Sequence, residues 1–353
     1  VDRESIIRRQ DAIEELNNKN IDREELREYL NPVYDLERIM AKISCKSANP
    51  KDLIAFKNSV EMIPHIKNVL KTLESHLICN LNEQIDGLSD IFELIDSSIV
   101  DDPPVGMRDG GMIKEGFSSE ADELRRAKTE GKQWLVDIEE REKEKTGIRN
   151  LKIKYNKVFG YYLEVTNSFK NMVPPEWTRK QTLTNAERYT TDELKKLEDI
   201  ILGAEDKLNE LEYELFSQVR EEISRNVSRI LNTAKALAQI DVLASLSTVA
   251  VMNNYVRPDI NEKGLINIKD GRHPVVEKMI NNDMFISNDT LLDNGNNRIS
   301  IITGPNMAGK STYMRQTALI VLMAQIGSFV PASYADIGIV DRIFTRVGAS
   351  DDL

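Results

Sequence analysis

Cysteine and histidine are scarce in this chain, which has two cysteines and three histidines among 353 residues. Cys45 and Cys79 are too few for a disulfide framework or a cysteine-based metal knuckle, so both are predicted to be reduced thiols. His65 and His76 fall within helical patterns and are predicted to be surface or core residues. His273 follows a strand-like segment, and we expect it to be structural rather than catalytic.

Long apolar runs are also missing. The chain begins at Val1 inside a helix-like pattern without an apolar leader, so we expect no signal peptide and a piece of a longer chain. No stretch approaches the roughly 20 consecutive apolar residues of a membrane span, so no membrane partner is expected. The content of 41% hydrophobic and 30% charged residues is typical of soluble, helix-rich proteins with two or three domains at this length.

A net positive charge is absent as well, because the formal charge is -11 and the pI is about 5.1. Taken over the whole chain, this argues against a nucleic-acid binder, since phosphate contacts need lysine and arginine. However, residues 149–190 contain eight basic and three acidic residues, a net charge of +5, which leaves -16 for the remainder. This segregation predicts one basic surface on an acidic body.

The first hundred residues carry apolar side chains at the three- and four-residue spacing of amphipathic helices. Pro103-Pro104 and Gly110-Gly111 then predict a loop over residues 97–117. The apolar positions of the three clearest helices are Ile6, Ile7, Ala12, Ile13 and Leu16, then Leu36, Ile39, Met40 and Ile43, and then Leu53, Phe56, Val60 and Ile63.

A charged helix follows from about Ser118 to Lys145, and Gly147 is a plausible residue to end it. The period then changes to alternation around a turn at residues 156–160, which predicts a β-hairpin. Gln181–Thr184 could add another strand. The alternating apolar residues of the hairpin are Leu151, Ile153 and Tyr155, then Tyr161, Leu163 and Val165.

A long helix is predicted from Thr191, where the sequence resembles a capping box, to about Leu237. About 40 helical residues would span roughly 60 Å. The predicted layout is a helix leading out, a small β tip and a helix leading back. Beyond Arg257-Pro258, Leu265–Ile268 and Arg298–Thr303 are predicted strands of an α/β nucleotide-binding unit.

Gly304–Ser311 reads GPNMAGKS and fits the phosphate-binding P-loop pattern GxxxxGK[ST]. Ile299–Ile302 precedes it as a predicted buried strand, and a helix is predicted after it. Glycine lets backbone N–H groups turn toward phosphate, and a helix N-terminus adds partial positive charge. Lys310 would reach the β- and γ-phosphates of ATP, and the Ser311 hydroxyl would bind Mg²⁺.

Hydrolysis also requires an acidic residue at the end of another strand. Asp341 follows the apolar run Ile337–Val340 and imitates that pattern. Arg342 stands where a catalytic glutamate would be needed, so we do not expect Asp341 to serve. Asp351 and Asp352 do not end an apolar run.

Five segments resemble the MutS family of DNA mismatch-repair ATPases. The resemblance covers nearly the whole chain, and Ala308 is a mild departure, because glycine is usual there. The segments are Gly271–Glu277 (GRHPVVE), Ile302–Gln316 (ITGPNMAGKSTYMRQ), Phe159–Val165 (FGYYLEV), Arg179–Arg188 (RKQTLTNAER) and Asp341–Leu353.

The resemblance implies a multidomain α+β fold with a mostly helical core and a partial ABC-type ATPase domain. Residues 1–130 would form the core or lever domain, and 131–200 a small β-rich clamp that grips DNA at the tip. Residues 201–257 would be the returning lever helix. Residues 258–353 would be the N-terminal half of the P-loop ATPase domain.

The resemblance also implies functional residues and partners. Phe285 occupies the position where the family stacks an aromatic ring on adenine. Asn306 occupies the position of the family's asparagine that senses the γ-phosphate. Lys310 and Asn306 are therefore the candidate catalytic residues. The implied cofactors are ATP and Mg²⁺. The nucleotide-binding set is Gly304, Pro305, Asn306, Met307, Ala308, Gly309, Lys310, Ser311, Thr312 and Phe285.

The basic segment supports a clamp that contacts the DNA backbone, which positions DNA without reading its sequence. The implied partners are double-stranded mismatched DNA, a second copy of the full-length protein and a MutL-type protein, in the bacterial cytosol near the nucleoid. The candidate DNA-binding residues are Lys152, Lys154, Asn156, Arg179, Lys180, Asn185 and Arg188.

Several family features are missing from the sequence. They are the mismatch-reading domain with its Phe-x-Glu wedge, the connector domain, the ABC signature serine, the Asp-Glu strand end and the C-terminal dimerising helices. We therefore expect an internal fragment that neither recognises mismatches nor hydrolyses ATP efficiently alone.

Other classes remain open. A MutS paralogue acting in recombination is the nearest rival. An SMC-like ABC ATPase also has paired arms, although its heptads run much further and lack a basic β tip. A purely structural helical scaffold is the non-enzyme alternative, and the P-loop argues against it.

Overall fold

The computed structural model describes residues 2–156, 158–280, 285–305 and 308–345. The chain divides into two compact units, and each is described by itself. The first unit contains Val1–Arg38, Asn58–Leu88 and Val227–Leu353, and the second contains Ile39–Lys57 and Ser89–Asn226. Helices dominate both the described residues and the sequence pattern, and two four-stranded sheets complete the mixed α+β composition.

Twelve helices lie in the described residues, and most of the predicted helical segments are confirmed. Asn167–Met172 forms an additional 3-10 helix. In chain order, the α-helices are α1 (Arg3–Asn18), α2 (Asn20–Leu30), α3 (Leu36–Ser44), α4 (Pro50–Glu61), α5 (Ile63–Leu70), α6 (His76–Gln84), α7 (Ser89–Ser98), α8 (Ser119–Thr146), α9 (Asp192–Arg225), α10 (Val227–Asn253), α11 (Val276–Met279) and α12 (Lys310–Gln325).

The strands form two separate sheets. One has the order β1-β2-β4-β3 and belongs to the second unit, and the other has the order β5-β8-β6-β7 and belongs to the first. The strands are β1 (Lys152–Asn156), β2 (Gly160–Thr166), β3 (Thr178–Thr182), β4 (Ala186–Thr190), β5 (Asp259–Asn261), β6 (Ile266–Gly271), β7 (Asn288–Leu292) and β8 (Tyr334–Gly338).

The helical part of the first unit packs around α10, which contacts α1, α2 and α6. An 18-residue window of α10 has a mean hydropathy of 1.4, so its length and composition alone would suit a membrane span. Its buried residues, including Ile230, Leu237 and Leu243, face these neighbouring helices instead. A core helix that is apolar on several faces has this composition.

In the first unit, α12 packs on the sheet of β5–β8. The core there is entirely aliphatic, and Ile6 of α1 joins it. Arg3 of α1 also donates to the Ile260 carbonyl at 2.8 Å. The other buried residues are Ile260, Ile268, Ile320, Val321, Ala324, Val330, Ala332, Ala335 and Ile337.

In the second unit, α8 and α9 pack side by side and carry the sheet of β1–β4. Ser118 caps α8, where its hydroxyl accepts from the Ala121 N–H, and Gly147 ends the helix in the left-handed conformation with φ of 73°. Thr191 caps α9 by accepting from the Leu194 N–H at 3.1 Å. These three boundaries confirm the sequence prediction.

The sheet of the second unit has two distinct faces, because alternate residues of a strand point in opposite directions. We call the inner face the one whose Leu163, Val165 and Tyr189 pack against α8 and α9, in a core with Ile138 and Leu197. The predicted hairpin is confirmed, with Lys154 of β1 opposite Tyr162 of β2. The opposite side, which carries Lys152, Lys154, Glu164 and Arg188, is the outer face.

The predicted helix from Thr191 to Leu237 is wrong in one respect, because it breaks at Asn226. The Asn226 N–H bonds to the Ile223 carbonyl at 3.0 Å, and its side-chain amide takes the Glu222 carbonyl at 3.0 Å. This side chain competes with the backbone for a helical acceptor and ends α9. Apolar periodicity continues across the break and could not reveal it.

The predicted strand at Arg298–Thr303 is also wrong, since these residues form no strand. Ile299 and Ile301 are 84% and 88% exposed rather than buried. An apolar segment becomes a buried strand when neighbouring strands pair with it. None of the described strands pairs with residues 298–303, so Ile299 and Ile301 stay exposed.

Four strands, β4, β5, β7 and β8, were not predicted from the sequence. The predicted strand Gln181–Thr184 overlaps the end of β3 and the following turn, whereas β4 begins at Ala186. β4 reads AERYT and has too few apolar residues to show alternation. β5 and β7 are short and polar, so they show no apolar alternation either.

Gly131 of α8 packs tightly against α9. A Cβ atom at this position would lie 2.5 Å from Cγ1 of Ile201, which is fully buried. We predict that Gly131→Ala lowers the free energy of unfolding by about 1–3 kcal/mol, because overpacking must move a buried side chain. Urea denaturation followed by tryptophan fluorescence measures this, since Trp134 and Trp177 both belong to the second unit.

Gly203→Ala is the matched control, because a Cβ atom there would meet nothing within 4 Å. This helical substitution should raise stability by about 0.5–1 kcal/mol through lower backbone entropy in the unfolded chain. Equal effects at the two glycines would show that the contact with Ile201 does not limit the packing.

Candidate nucleotide and nucleic-acid sites

The P-loop turns sharply into α12 at Gly309. This residue precedes α12 with φ of 82°, a conformation that favours glycine, and the Tyr313 N–H donates to its carbonyl at 2.9 Å. The first N–H groups of a helix have no intrahelical partners, so they are available to an anion. The chain thus places the N-terminus of a helix directly after the predicted P-loop glycine.

Lys310 folds over its own loop. Its ammonium group donates to the carbonyl oxygens of Gly304 at 2.9 Å and Pro305 at 2.6 Å. The Ala308 N–H donates to the Pro305 carbonyl at 3.4 Å, which closes the turn. The predicted residues Asn306 and Met307 lie outside the described residues.

A cleft of about 640 Å³ opens beside this loop. Phe285 and Ile286 line one part of it, and Ala308, Gly309 and Lys310 line another. The fold therefore brings Phe285 to the same cleft as the P-loop, although 24 sequence positions separate it from Gly309. The remaining lining residues are Ile280, Asn288, Ile302, Thr303, Thr312 and Tyr313.

Tyr313 connects the two sides of this cleft and was not singled out from the sequence. Its hydroxyl accepts from the Thr290 hydroxyl at 2.9 Å and donates to the Asp289 carbonyl at 3.1 Å. Thr290 also lies 3.3 Å from the Thr317 hydroxyl. These bonds attach β7, which follows Phe285 closely, to α12. A tyrosine within a helical pattern carries no sequence signal for such a role.

Ser311, the predicted Mg²⁺ ligand, lies half-buried in the first turn of α12. Asp341 is exposed and lies three residues beyond the end of β8. Asp351 and Asp352 lie outside the described residues. Within the ranges that the structure describes, no three His, Cys, Asp or Glu side chains gather as a metal site.

His273 is buried at the start of the turn after β6. Its Nδ1 atom accepts from the N–H groups of Val275 and Val276, both at 3.2 Å. Burial lowers the pKa of His273, and the nearby Arg315 cation lowers it further. The neutral imidazole thus holds a turn, consistent with the structural role expected from the sequence.

The outer face of the second unit's sheet collects basic side chains. Lys152, Lys154 and Arg188 lie on it together with Glu164, as the strand register shows. The Arg188 guanidinium lies 4.4 Å from the centre of the Tyr162 ring and donates to Gln181 at 2.7 Å. Lys154 and Arg188 therefore converge as the sequence predicted.

Of the other predicted DNA-binding residues, Asn156 takes an outer-face position at the end of β1, whereas Arg179 and Lys180 belong to the edge strand β3. Arg179 lies opposite Tyr189 at an inner-face position of the edge strand, with Glu187 at 3.6 Å. A β-bulge between Arg179 and Gln181 changes the alternation there. Lys180, at the bulge, donates to the Phe159 carbonyl at 2.6 Å.

The two predicted asparagines lie at opposite ends of the sheet. Asn156 ends β1, and its side chain accepts from the Val158 N–H at 2.8 Å. Asn185 lies in the turn between β3 and β4, where its carbonyl accepts from the Asn167 N–H at 3.2 Å. A surface that includes all seven predicted residues must therefore extend from the outer face onto the edges of the sheet.

The lowered pKa of His273 predicts a pH dependence of stability. Protonation is less favourable in the folded state than in the unfolded state, so this contribution is complete above about pH 6.5 and is lost as the pH falls. Stability of the native chain should decrease between pH 7.5 and pH 5 more than that of His273→Asn, which keeps an acceptor without titrating. Urea denaturation followed by circular dichroism at both pH values measures the difference. The same pH response in both proteins would contradict the assignment.

Comparison with known families places two parts of the chain. Residues 116–207 match the family model "MutS family domain IV", and residues 300–353 match "MutS domain V". The first match contains α8 and the sheet with the basic outer face, and the second contains the P-loop and α12.

Relatives match along almost the whole chain. A protein of Lachnoclostridium phytofermentans is 67% identical over 350 residues, which is 99% of this chain and 38% of the relative. Proteins of Ruminiclostridium cellulolyticum and Caldanaerobacter subterraneus are 58% and 57% identical over 98% and 100% of this chain, and 40% of each relative is covered. All three bear the name DNA mismatch repair protein MutS.

The chain spans about two-fifths of the length of these relatives. At more than half of the positions it is identical to each of them, and the match runs through the helices, the basic sheet and the P-loop alike. The chain therefore belongs to the MutS family.

Proposed function

We propose that this chain is the DNA-gripping and nucleotide-binding part of an ATP-dependent mismatch-repair protein. The observation that carries the proposal is the cleft in which Phe285 and Lys310 meet. An aromatic ring and a phosphate-binding helix N-terminus in one cleft match the two ends of an adenine nucleotide. The volume of about 640 Å³ is within the range of small-molecule sites.

In the proposed complex, adenine stacks on Phe285 and the triphosphate lies along Gly304–Gly309. Lys310 exchanges its two carbonyl partners for β- and γ-phosphate oxygens, which are stronger acceptors because they are charged. The Ser311 hydroxyl and ATP would hold Mg²⁺, while Asn306 would sense the γ-phosphate. Gly304, Pro305, Met307, Ala308 and Thr312 would complete the loop around the phosphates.

Hydrolysis would require a carboxylate that activates water, and Asp341 is a poor candidate for it. This residue is exposed and separated from β8 by the sequence Ile339-Val340. We propose that the isolated chain binds ATP without efficient turnover, and that the ATPase reaction belongs to a longer protein that contains it.

The basic outer face is the proposed DNA grip. Lys152, Lys154 and Arg188 would contact backbone phosphates, and Arg179 and Lys180 would approach from the edge strand. Such contacts hold a duplex without reading its bases. Mismatched DNA, a second copy of the full-length protein and a MutL-type protein are the proposed partners, in the bacterial cytosol.

The domain assignment remains part of the proposal. Residues 1–130 and 201–257 would form the lever, residues 131–200 the clamp and residues 258–353 half of an ABC-type ATPase domain. The capped helices α8 and α9 would transmit the nucleotide state to the grip. Both contact the sheet directly, since α8 leads into β1 and α9 follows β4.

Loss of the Lys310 ammonium tests nucleotide binding. We predict that Lys310→Ala weakens binding of Mg²⁺–ATP by about ten- to a hundredfold, because charge-assisted hydrogen bonds contribute about 1.5–3 kcal/mol. Isothermal titration calorimetry of the chain measures the affinity. Lys263→Ala, at an exposed lysine outside the cleft, is the matched control.

Phe285→Ala separates base from phosphate recognition within the same experiment. It should weaken ATP binding but leave binding of inorganic tripolyphosphate unchanged. Absence of ATP binding by the native chain, as heat or thermal shift, would reject the nucleotide site and restore the structural scaffold as the better interpretation.

Charge reversal in the sheet tests the DNA grip. In the full-length protein, Lys154→Glu and Arg179→Glu should each weaken duplex binding and reduce the slope of log affinity against log salt by about 1. Fluorescence anisotropy at several salt concentrations measures both quantities. Lys207→Glu, at an exposed lysine of α9 outside the sheet, makes the same change in net charge. Unchanged affinity for both sheet variants across the salt series would reject the clamp.

A further inference from the structure

One carboxylate lies at the centre of the basic outer face. Glu164 is on β2, an inner strand of the sheet, and the register places Lys152 opposite it on β1 and Arg188 opposite it on β4. Directly opposed side chains of antiparallel strands are close neighbours. Glu164 is thus flanked by a basic residue on either side.

Glu164 is engaged by two of the basic residues proposed to bind DNA. Its Oε1 atom lies 2.7 Å from the Lys154 ammonium, and its Oε2 atom lies 3.8 Å from Nε of Arg188. The hydrogen bond to Glu164 raises the pKa of Lys154. Both basic groups are therefore already paired before any phosphate arrives.

Arg188 is held in this arrangement from several sides. Tyr162 lies beneath its guanidinium and Gln181 accepts from it, while its Nε atom is buried without a hydrogen-bond partner among the described residues. Glu164 neutralises the charge without satisfying this N–H. A phosphate oxygen of DNA could supply both the charge and the missing acceptor.

The strand residues are all described, and among them Glu164 is the one acid at an outer-face position. The other acidic residue in these strands is Glu187 of β4, which lies opposite Val165 and so at an inner-face position. A pair that exists merely to stabilise the sheet would contribute little, because exposed ion pairs contribute about 0–1 kcal/mol. The effect of the pair on DNA affinity is larger, since each basic side chain that is released from the carboxylate adds a phosphate contact.

We propose that Glu164 restrains sequence-independent DNA binding by this face, because it competes with backbone phosphates for Lys154 and Arg188. The inference rests on the proposed function of the face as a DNA grip. Duplex binding then requires exchange of the carboxylate for phosphate, so the grip on ordinary paired DNA is weaker than the count of basic residues implies. Glu164 thus sets how tightly this face holds any duplex.

The test compares DNA binding of the full-length protein with that of Glu164→Gln, which keeps the shape and removes the charge. The probe is a fluorescein-labelled, fully paired duplex of thirty base pairs, followed by anisotropy at roughly 50 to 200 mM salt. We expect about three- to tenfold tighter binding near 0.1 M salt and a slope of log affinity against log salt that is steeper by about 1–2, since each freed cation contributes about 0.9.

Glu176→Gln is the matched control, because Glu176 is an exposed acid of the same region that pairs with Lys145 rather than with a proposed DNA contact. Glu164→Asp keeps the charge and should bind like the native protein. The double variant Lys154→Met/Glu164→Gln should retain the part of the gain that comes from Arg188. If Glu164→Gln alters tryptophan fluorescence, Glu164→Thr makes the same charge change with a good strand-forming residue.

Each other outcome has a definite meaning. Unchanged or weaker binding by Glu164→Gln, with Lys154→Glu still harmful, would show that Glu164 positions the basic residues and would overturn the inference. An equal gain in Glu176→Gln would assign the effect to net charge and also overturn it. Indifference of DNA binding to both Lys154→Glu and Glu164→Gln would reject the proposed grip itself, and the inference with it.

Discussion

The second unit depends on the close packing of α8 against α9, because the sheet begins where one helix ends and stops where the other begins. Gly131 permits the contact with Ile201. A fully buried carboxylate fixes the other end, where Glu212 accepts from the Met112 N–H at 3.0 Å and from Arg125 at 2.7 Å. A buried charge is tolerated when it is fully paired, so this arrangement also fixes the loop before α8.

In the first unit, the cleft beside the P-loop, which is the proposed nucleotide site, depends on one sharp turn and on the hydrogen bonds between β7 and α12. Gly309 aims the start of α12 at the cleft, and Tyr313, one helical turn later, bonds to β7. Tyr313 and the Thr290–Thr317 hydroxyl contact therefore connect β7 and α12 on the two sides of the cleft. Lys310 folds back on its own loop, where its ammonium group donates to two carbonyl oxygens.

The sequence predicted what local chemistry determines and missed what depends on distant partners. The helix ends at Ser118, Gly147 and Thr191 depend only on residues adjacent in the sequence, and so does the P-loop motif. The exposed segment 298–303 could not be predicted, because an apolar strand pattern does not say whether a neighbouring strand is present. The bulge beside Arg179 separated that residue from Lys154, and no spacing rule reveals a bulge. The net charge of residues 149–190 predicted a basic surface, but it could not show that Lys154 and Arg188 form ion pairs with Glu164.

The unpaired segment 298–303, just before the P-loop, affects how the protein associates with itself in solution. Ile299 and Ile301 are exposed, and no described strand pairs with the backbone of their segment. Short, uncharged, β-branched segments of this kind pair readily with strands of other chains. The net charge of -11 opposes such contacts at low salt, and screening weakens that repulsion. Self-association of this chain should therefore grow with ionic strength, opposite to the salt response expected of the proposed contacts with DNA.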